Sequence, residues 1–181
     1  MIIVTGLPGA GKSTVLNGAS SGWKMLNYGD LMFEIAQKEK LVSDRDEMRK
    51  LAVDKQKKIQ AAVAKSLSKE TGKIILDTHA AIKTKRGYLP GLPFSLLKDL
   101  KVEGLVFIQA PVEQILRRRS ADKSRVRELE SREEIEEHLS ICKAYIAAYS
   151  AFCGVPAVII SNEDNGLEKA VQKLRDFLAG A

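Results

Sequence analysis

The sequence predicts an α/β fold in three layers, a five-stranded parallel sheet with helices on both faces. Three observations carry this. Short apolar runs recur five times along the chain, each is followed by helical sequence, and the first runs straight into a glycine-rich turn. Strands buried on both faces read as continuous apolar runs, and strand–helix alternation demands parallel neighbours joined by crossover helices.

Taken in order, "IIVT" at 2–5 is a β-branched run that reads as a buried strand, and "KMLNY" at 24–28 is a weaker second. Asp30 is placed to cap a helix over "LMFEIAQKEK". Asp54 is placed to cap "KQKKIQAAVAKSLSKE", with Ile59, Val63 and Leu67 on one face and Thr71-Gly72 as its stop. "KIILD" at 73–77 is the third strand, and "AIKTKRGYLPGLP" at 81–93 reads as a long loop anchored by Gly and Pro. "GLVFIQ" at 104–109 is the fourth strand. Pro111 then opens a helix carrying Val112, Ile115, Leu116 and Arg119. Ser131 and Glu134 form a capping-box pattern ahead of a stripe of Ile135, Leu139, Cys142, Ile146, Tyr149 and Phe152, which Gly154-Val155-Pro156 ends. "PAVII" at 156–160 is the fifth strand, and a helix with Leu167, Ala170, Leu174 and Phe177 closes the chain.

No repeat, low-complexity tract or linker divides residues 1–181, so one domain is expected. The second and third strands are separated by far more chain than one βα connection needs, which points to an inserted helical segment over 29–71.

Composition narrows the class. Apolar residues make up 45% and charged residues 29%, a globular profile. The net charge of +6 suits a polyanionic partner without choosing one. No apolar run reaches the roughly 18 residues of a membrane span. Met1 leads directly into "IIVTG" with no charged n-region, so a secretory signal is not expected and a cytoplasmic protein is. Cys142 and Cys153 fall on one helix and at its end, about 16 Å apart, beyond disulfide reach. With only His79 and His138 beside them, no structural zinc pattern exists.

"GLPGAGKS" at 6–13 satisfies G-x-x-x-x-G-K-[ST] between a strand and a helix, the context this phosphate-binding loop requires. Gly6, Gly9 and Gly11 let the backbone turn its N–H groups inward, and the helix N-terminus adds partial positive charge. Lys12 is placed to reach β- and γ-phosphates, Ser13 to hold Mg2+ and Thr14 to bond a phosphate oxygen. Asp77, at the carboxyl end of its strand, is placed to hold Mg2+ through water, or serves as a turn former. His79 follows on the loop, in a structural role or against substrate.

The acceptor is read from charge. A kinase acting on an alcohol needs a carboxylate base. One acting on a nucleoside monophosphate meets an anionic nucleophile already and needs positive charge to offset the repulsion. Arg45 and Arg49 lie four residues apart in the inserted segment, and would share a helix face. They meet an anion there, or belong to a solvated helix with Asp46 and Lys50. Lys83, Lys85 and Arg86 follow Asp77. "RRRSADKSRVRE" at 117–128 concentrates six cationic side chains against Asp122 and Glu128.

"VTGLPGAGKST", "NYGD" at 27–30, "DRDEMRKL" at 44–51, "DTHAAIKTKRGYLPGLP" at 77–93 and "RVRE" together resemble the archaeal type of adenylate kinase, in order and over nearly the whole chain. The resemblance implies the nucleoside monophosphate kinase fold, with an AMP-binding helical insertion at 29–71 and a short lid at 117–131. It implies the reaction ATP + AMP = 2 ADP with Mg2+, and a homotrimer. Carried over by position, Gly6, Leu7, Pro8, Gly9, Ala10, Gly11, Lys12, Ser13 and Thr14 bind ATP, and Arg118 lies on its adenine. Asp30, Arg49, Thr78 and His79 face AMP. Ser13 and Asp77 serve the metal, the latter via water. Lys12, Arg125 and Arg127 are the catalytic cations, the last two closing with the lid. The chain lacks the "DGFPR"-type block of bacterial adenylate kinases and has no Arg in its "YGDLMF" helix, so those AMP-phosphate arginines do not transfer.

Two other readings share these residues. One is a kinase preferring CMP or UMP. The other is an RNA- or ribosome-associated ATPase, against which stands the lack of base-stacking aromatics among the cations.

Overall fold

A computed structural model describes residues 1–45, 47–48, 51–121 and 130–181. In chain order its elements are β1 (Ile2–Gly6), α1 (Lys12–Ala19), β2 (Lys24–Asn27), α2 (Tyr28–Lys38), α3 (Val53–Leu67), β3 (Ile74–Asp77), β4 (Ala81–Thr84), β5 (Gly87–Pro90), α4 (Phe94–Leu97), β6 (Gly104–Gln109), α5 (Val112–Ala121), α6 (Arg132–Cys153), β7 (Ala157–Ser161) and α7 (Leu167–Ala179). The five strands that the sequence predicts form the parallel sheet, in the order β2-β3-β1-β6-β7.

Each central strand is buried on both faces because its residues alternate between two cores. Ile3, Ile74, Leu76, Leu105 and Phe107 enter the larger one, beneath α2, α3, α4 and α6. Ile2, Val4, Ile75, Val106 and Ile108 enter the other, beneath α1 and α7. α7 lies so close on α1 that a Cβ at Gly18 would stand 2.7 Å from a Val171 methyl. The Ser131–Glu134 capping box forms, and α6 ends at Gly154 in a left-handed cap. Its stripe is buried from Ile135 to Tyr149. Phe152 instead stays on the surface, its ring centroid 4.4 Å from that of Phe94. Cys142 is buried and Cys153 half-buried, and both are free thiols.

Three local expectations are corrected. α2 begins two residues before Asp30, and its cap is Asn27, whose side chain accepts the Asp30 N–H at 3.1 Å. Asn27 ends a strand in extended conformation, the geometry an N-cap needs, so Asp30 falls inside the first turn. α3 begins at Val53 without a side-chain cap, leaving Asp54 in its first turn, and ends at Leu67, its last buried position. The 81–93 segment is no loop. Ala81–Thr84 and Gly87–Pro90 pair antiparallel, with Ile82 opposite Leu89, and α4 follows.

Candidate active site

From central β1 the chain runs out to edge strand β2, returns to β3 beside β1, and then crosses to β6 and β7 on the other side. Such a switch point opens a crevice at the carboxyl ends of the strands, and the glycine-rich loop leaves β1 directly into it. The loop turns through Gly9 at φ +90° and Gly11 at φ +79°, with the Ala10 N–H bonded to the Leu7 carbonyl at 3.0 Å. Gly11 is doubly required. Its φ is left-handed, and a Cβ there would run into the Asn162 side-chain amide. Ser13 and Thr14 follow in the first turn of α1 and are exposed.

Lys12 turns toward the neighbouring strand. Its Nζ donates to the Thr78 carbonyl at 2.8 Å and forms an ion pair with Asp77. Both side chains are largely withdrawn from water, at 13% and 16% exposure, so each charge depends on the other. The other Asp77 oxygen, Oδ2, accepts from Asn27 Nδ2 at 3.0 Å. Thr78 is buried, and its N–H bonds the Val4 carbonyl at 3.1 Å. His79 stands beside them. Crowding by the surrounding chain lowers its pKa, and the Lys12 charge lowers it further, against Asp77 and a hydrogen bond to the Gly6 backbone.

The far side of the loop is held from β7 and α5. Buried Asn162 donates from Nδ2 to the Ala10 carbonyl at 2.9 Å, and its own N–H bonds the Gln109 carbonyl at 2.8 Å. Arg118 donates to the Asn162 carbonyl at 3.2 Å, to Gln114 at 3.1 Å and to Asp164 at 2.8 Å. Partial burial and then the Arg117 charge lower the Arg118 pKa. Arg119 donates from Nε to the Pro8 carbonyl at 2.8 Å and pairs with Glu130. Lys83, on β4, lies 3.4 Å from Glu130 and 2.7 Å from Glu134, tying the hairpin to the start of α6.

On the α2 side, Asp30 pairs with Arg45 in the open, both side chains more than half exposed. The Arg45 guanidinium lies 5.7 Å from the Phe33 ring centroid. Arg45 therefore meets a carboxylate of its own chain, in a turn rather than on an α-helix. Arg49, Arg125 and Arg127 lie outside the described residues, as do Asp46, Lys50, Asp122 and Glu128. Of the segment 117–131, residues 117–121 continue α5, and Glu130 and Ser131 lead into α6.

The donors near the loop suit Mg2+. Asp77 offers a carboxylate and Ser13 a hydroxyl, both hard oxygen ligands, and Mg2+ keeps several waters and leans on substrate phosphates. Among the described residues no group of three or more His, Cys, Asp or Glu could hold an ion without a nucleotide.

Comparison with known proteins decides the family. The AAA domain family matches residues 5–136. The adenylate kinase of Methanoculleus marisnigri is 42% identical, over 98% of this chain and 97% of its own length. That of Pyrococcus abyssi is 44% identical, over 98% and 94%. The chain belongs to the adenylate kinase family. The fold is shared more widely. A shikimate kinase from Acinetobacter baumannii superposes with a TM-score of 0.61 at 18% identity, covering 99% of this chain and 93% of that one.

In this adenylate kinase family member the structure brings Lys12, Asp77, Thr78 and His79 together at the carboxyl ends of β1 and β3, and Arg118 to the opposite flank of the loop. Asp30 stands apart, exposed on α2. Sequence reasoning overlooks Asn27, Asn162, Arg119 and Glu130. A signal exists for Asn162, since "SNEDNG" is a polar cluster at the carboxyl end of a strand, where ligands bind. For Arg119 and Glu130 only the charge density of their segment marks them.

Proposed function

We propose that the protein catalyses reversible phosphoryl transfer, ATP + AMP = 2 ADP. The observation that carries this is Lys12, poised at the head of the glycine loop and anchored to Asp77 and Thr78 of the adjacent strand, in a chain whose curated relatives are adenylate kinases over their full length.

Residues Gly6 to Thr14 cradle the ATP phosphates with backbone N–H groups and the N-terminus of α1. An entering triphosphate exchanges the Lys12–Asp77 pair for a Lys12–phosphate pair. Ser13 and the freed Asp77, the latter through water, would hold Mg2+, which when bound would supply charge neutralisation to the phosphates. An AMP phosphate oxygen, ionised at neutral pH, attacks the γ-phosphorus in line. The bond to the β–γ bridging oxygen breaks, ADP leaves and a second ADP has formed. No side chain need remove a proton, so the work of the protein is alignment and charge.

Arg118 is assigned to the ATP adenine. It exchanges its Asp164 contact for the base, and its partly buried, weakly hydrated guanidinium suits stacking. Asp30, Arg49, Thr78 and His79 are assigned to AMP within the insertion 29–71 and its rim. The segment 117–131 is assigned as a lid bringing Arg125 and Arg127 to the transferring group, on the strength of its sequence. A cytoplasmic location is inferred from the lack of a secretory-signal pattern, and a homotrimer from the resemblance to the archaeal type. Among the described residues no helix is long and apolar enough to cross a membrane.

The deciding assay measures ADP formed from ATP with AMP, CMP, UMP or GMP. Turnover with AMP at least tenfold above the others supports the reading. A preference for CMP or UMP, or ATP hydrolysis indifferent to all four, overturns it.

A further inference from the structure

We infer that Asn27 is a positioning residue for phosphoryl transfer, one that fixes the orientation of the Asp77 carboxylate and ties it to the N-terminus of α2. The inference rests on the assignment of Asp77 to the metal–nucleotide.

The two ends of one amide do separate jobs. Oδ1 accepts the Asp30 N–H at 3.1 Å and caps α2. Nδ2 donates to Asp77 Oδ2 at 3.0 Å. Exchanging the amide O and N would set oxygen against carboxylate and NH2 against N–H, so the network admits one assignment. β2 and β3 are paired in register with Asn27 beside Asp77, which delivers the amide to the carboxylate. With Oδ2 held by Asn27 and Oδ1 turned to Lys12, the carboxylate is fixed at both oxygens.

Capping alone does not call for an amide. Ser and Asp cap as well as Asn. Neither offers a cap acceptor together with an N–H donor aimed at a neighbouring carboxylate. When Lys12 leaves for the phosphates, the Asn27 hydrogen bond still holds Asp77 Oδ2. It also links that carboxylate to the helix carrying Asp30, the acceptor side of the proposed reaction.

The test compares Asn27→Ser, Asn27→Asp and Asn27→Ala with Asp77→Asn as reference. It measures kcat, KM for each nucleotide, thermal unfolding, and calorimetric Kd for ATP with and without Mg2+. Asn27→Ser keeps the cap, so Tm should stay near that of the unmodified protein. Its kcat should fall about 10-fold, the scale of one hydrogen bond to a charged group, with both KM values within about 2-fold. The preference for MgATP over metal-free ATP should shrink in the same direction as in Asp77→Asn. Asn27→Asp, which keeps shape and cap but sets a carboxylate against Asp77, should lower kcat further. Asn27→Ala should add a loss of Tm. If Asn27→Ser and Asn27→Asp both retain normal kcat and MgATP preference while Asp77→Asn loses them, Asn27 is a helix cap and the inference fails. If Asp77→Asn itself retains both, the assignment of Asp77 fails and takes the inference with it.

Discussion

The two flanks of the catalytic crevice are built differently. Around the glycine loop several groups are held from distant elements: the Pro8 carbonyl by Arg119, the Ala10 carbonyl by Asn162, and Lys12 by Asp77 and Thr78. These contacts come from β3, α5 and β7, elements far apart in sequence, and most are shielded from water. On the acceptor flank, α2 presents Asp30 to Arg45 across open solvent, a pair worth ~0–1 kcal/mol. Its contact with Phe33 is likewise at the surface. One flank is preorganised without ligand. The other joins Asp30 to Arg45 through a solvent-screened pair that a substrate anion can displace.

The sharpest break of that comparison is Lys12→Ala. Removing the charge at the transferring phosphate should lower kcat about 10³-fold, read by steady-state ADP formation, while a cooperative unfolding transition persists. Normal turnover would sink the donor-site assignment. Next is Asn162→Ala, which strips a buried carbonyl of its partner at a cost of about 1–3 kcal/mol. The KM for ATP should rise about 10-fold and Tm should fall, with KM for AMP little changed. Equal movement of both KM values would show that the loop is not a separately organised unit.

Arg49→Ala tests the other flank in the opposite sense. KM for AMP should rise roughly 5–10-fold, the worth of one charge-assisted contact, with ATP binding and Tm unaffected. A fall in Tm instead would mean that the acceptor flank is held as firmly as the donor flank.

The smallest effect concerns pH. Burial lowers the pKa of His138, with Arg119 and Lys83 adding to that and the Ala81 carbonyl and Glu130 opposing. Above about pH 6.5 the ring is neutral folded and unfolded, and contributes nothing. As pH falls below that value the unfolded chain takes up a proton that the folded protein refuses, so stability is lost toward acid. His79 acts in the same direction. His138→Gln should reduce the loss of Tm between pH 7 and pH 5 by roughly 2 °C, read by thermal scans at both values.

What the sequence reveals follows from the range of the interactions involved. The central strands β1, β3 and β6 are legible because burial on both faces leaves continuous apolar runs. The glycine loop is legible because its geometry depends on residues adjacent in sequence. The β4–β5 hairpin is not, since "AIKTKRGYLP" places Lys and Tyr where alternation would show and ends in Pro. Its turn is held by the Thr84 hydroxyl donating to the Gly87 carbonyl at 2.8 Å, a bond no spacing rule announces. Asp30 and Asn27 both fit a cap by residue type, and the end of β2 decides between them. Asn162 is out of reach of any local pattern, because its partner Ala10 is 152 residues away.

That separation bears on the order in which the protein is made. The glycine loop leaves the ribosome well before the side chain that braces it, which arrives only with the fifth strand of the sheet. At translation rates of 5–20 residues per second the gap is roughly 8 to 30 seconds. Through that interval α1 also lacks α7, the helix that covers it. A nascent chain stalled short of β7 would carry the whole glycine loop and still grip nucleotide poorly, so competence to bind ATP waits for β7 and the residue that follows it.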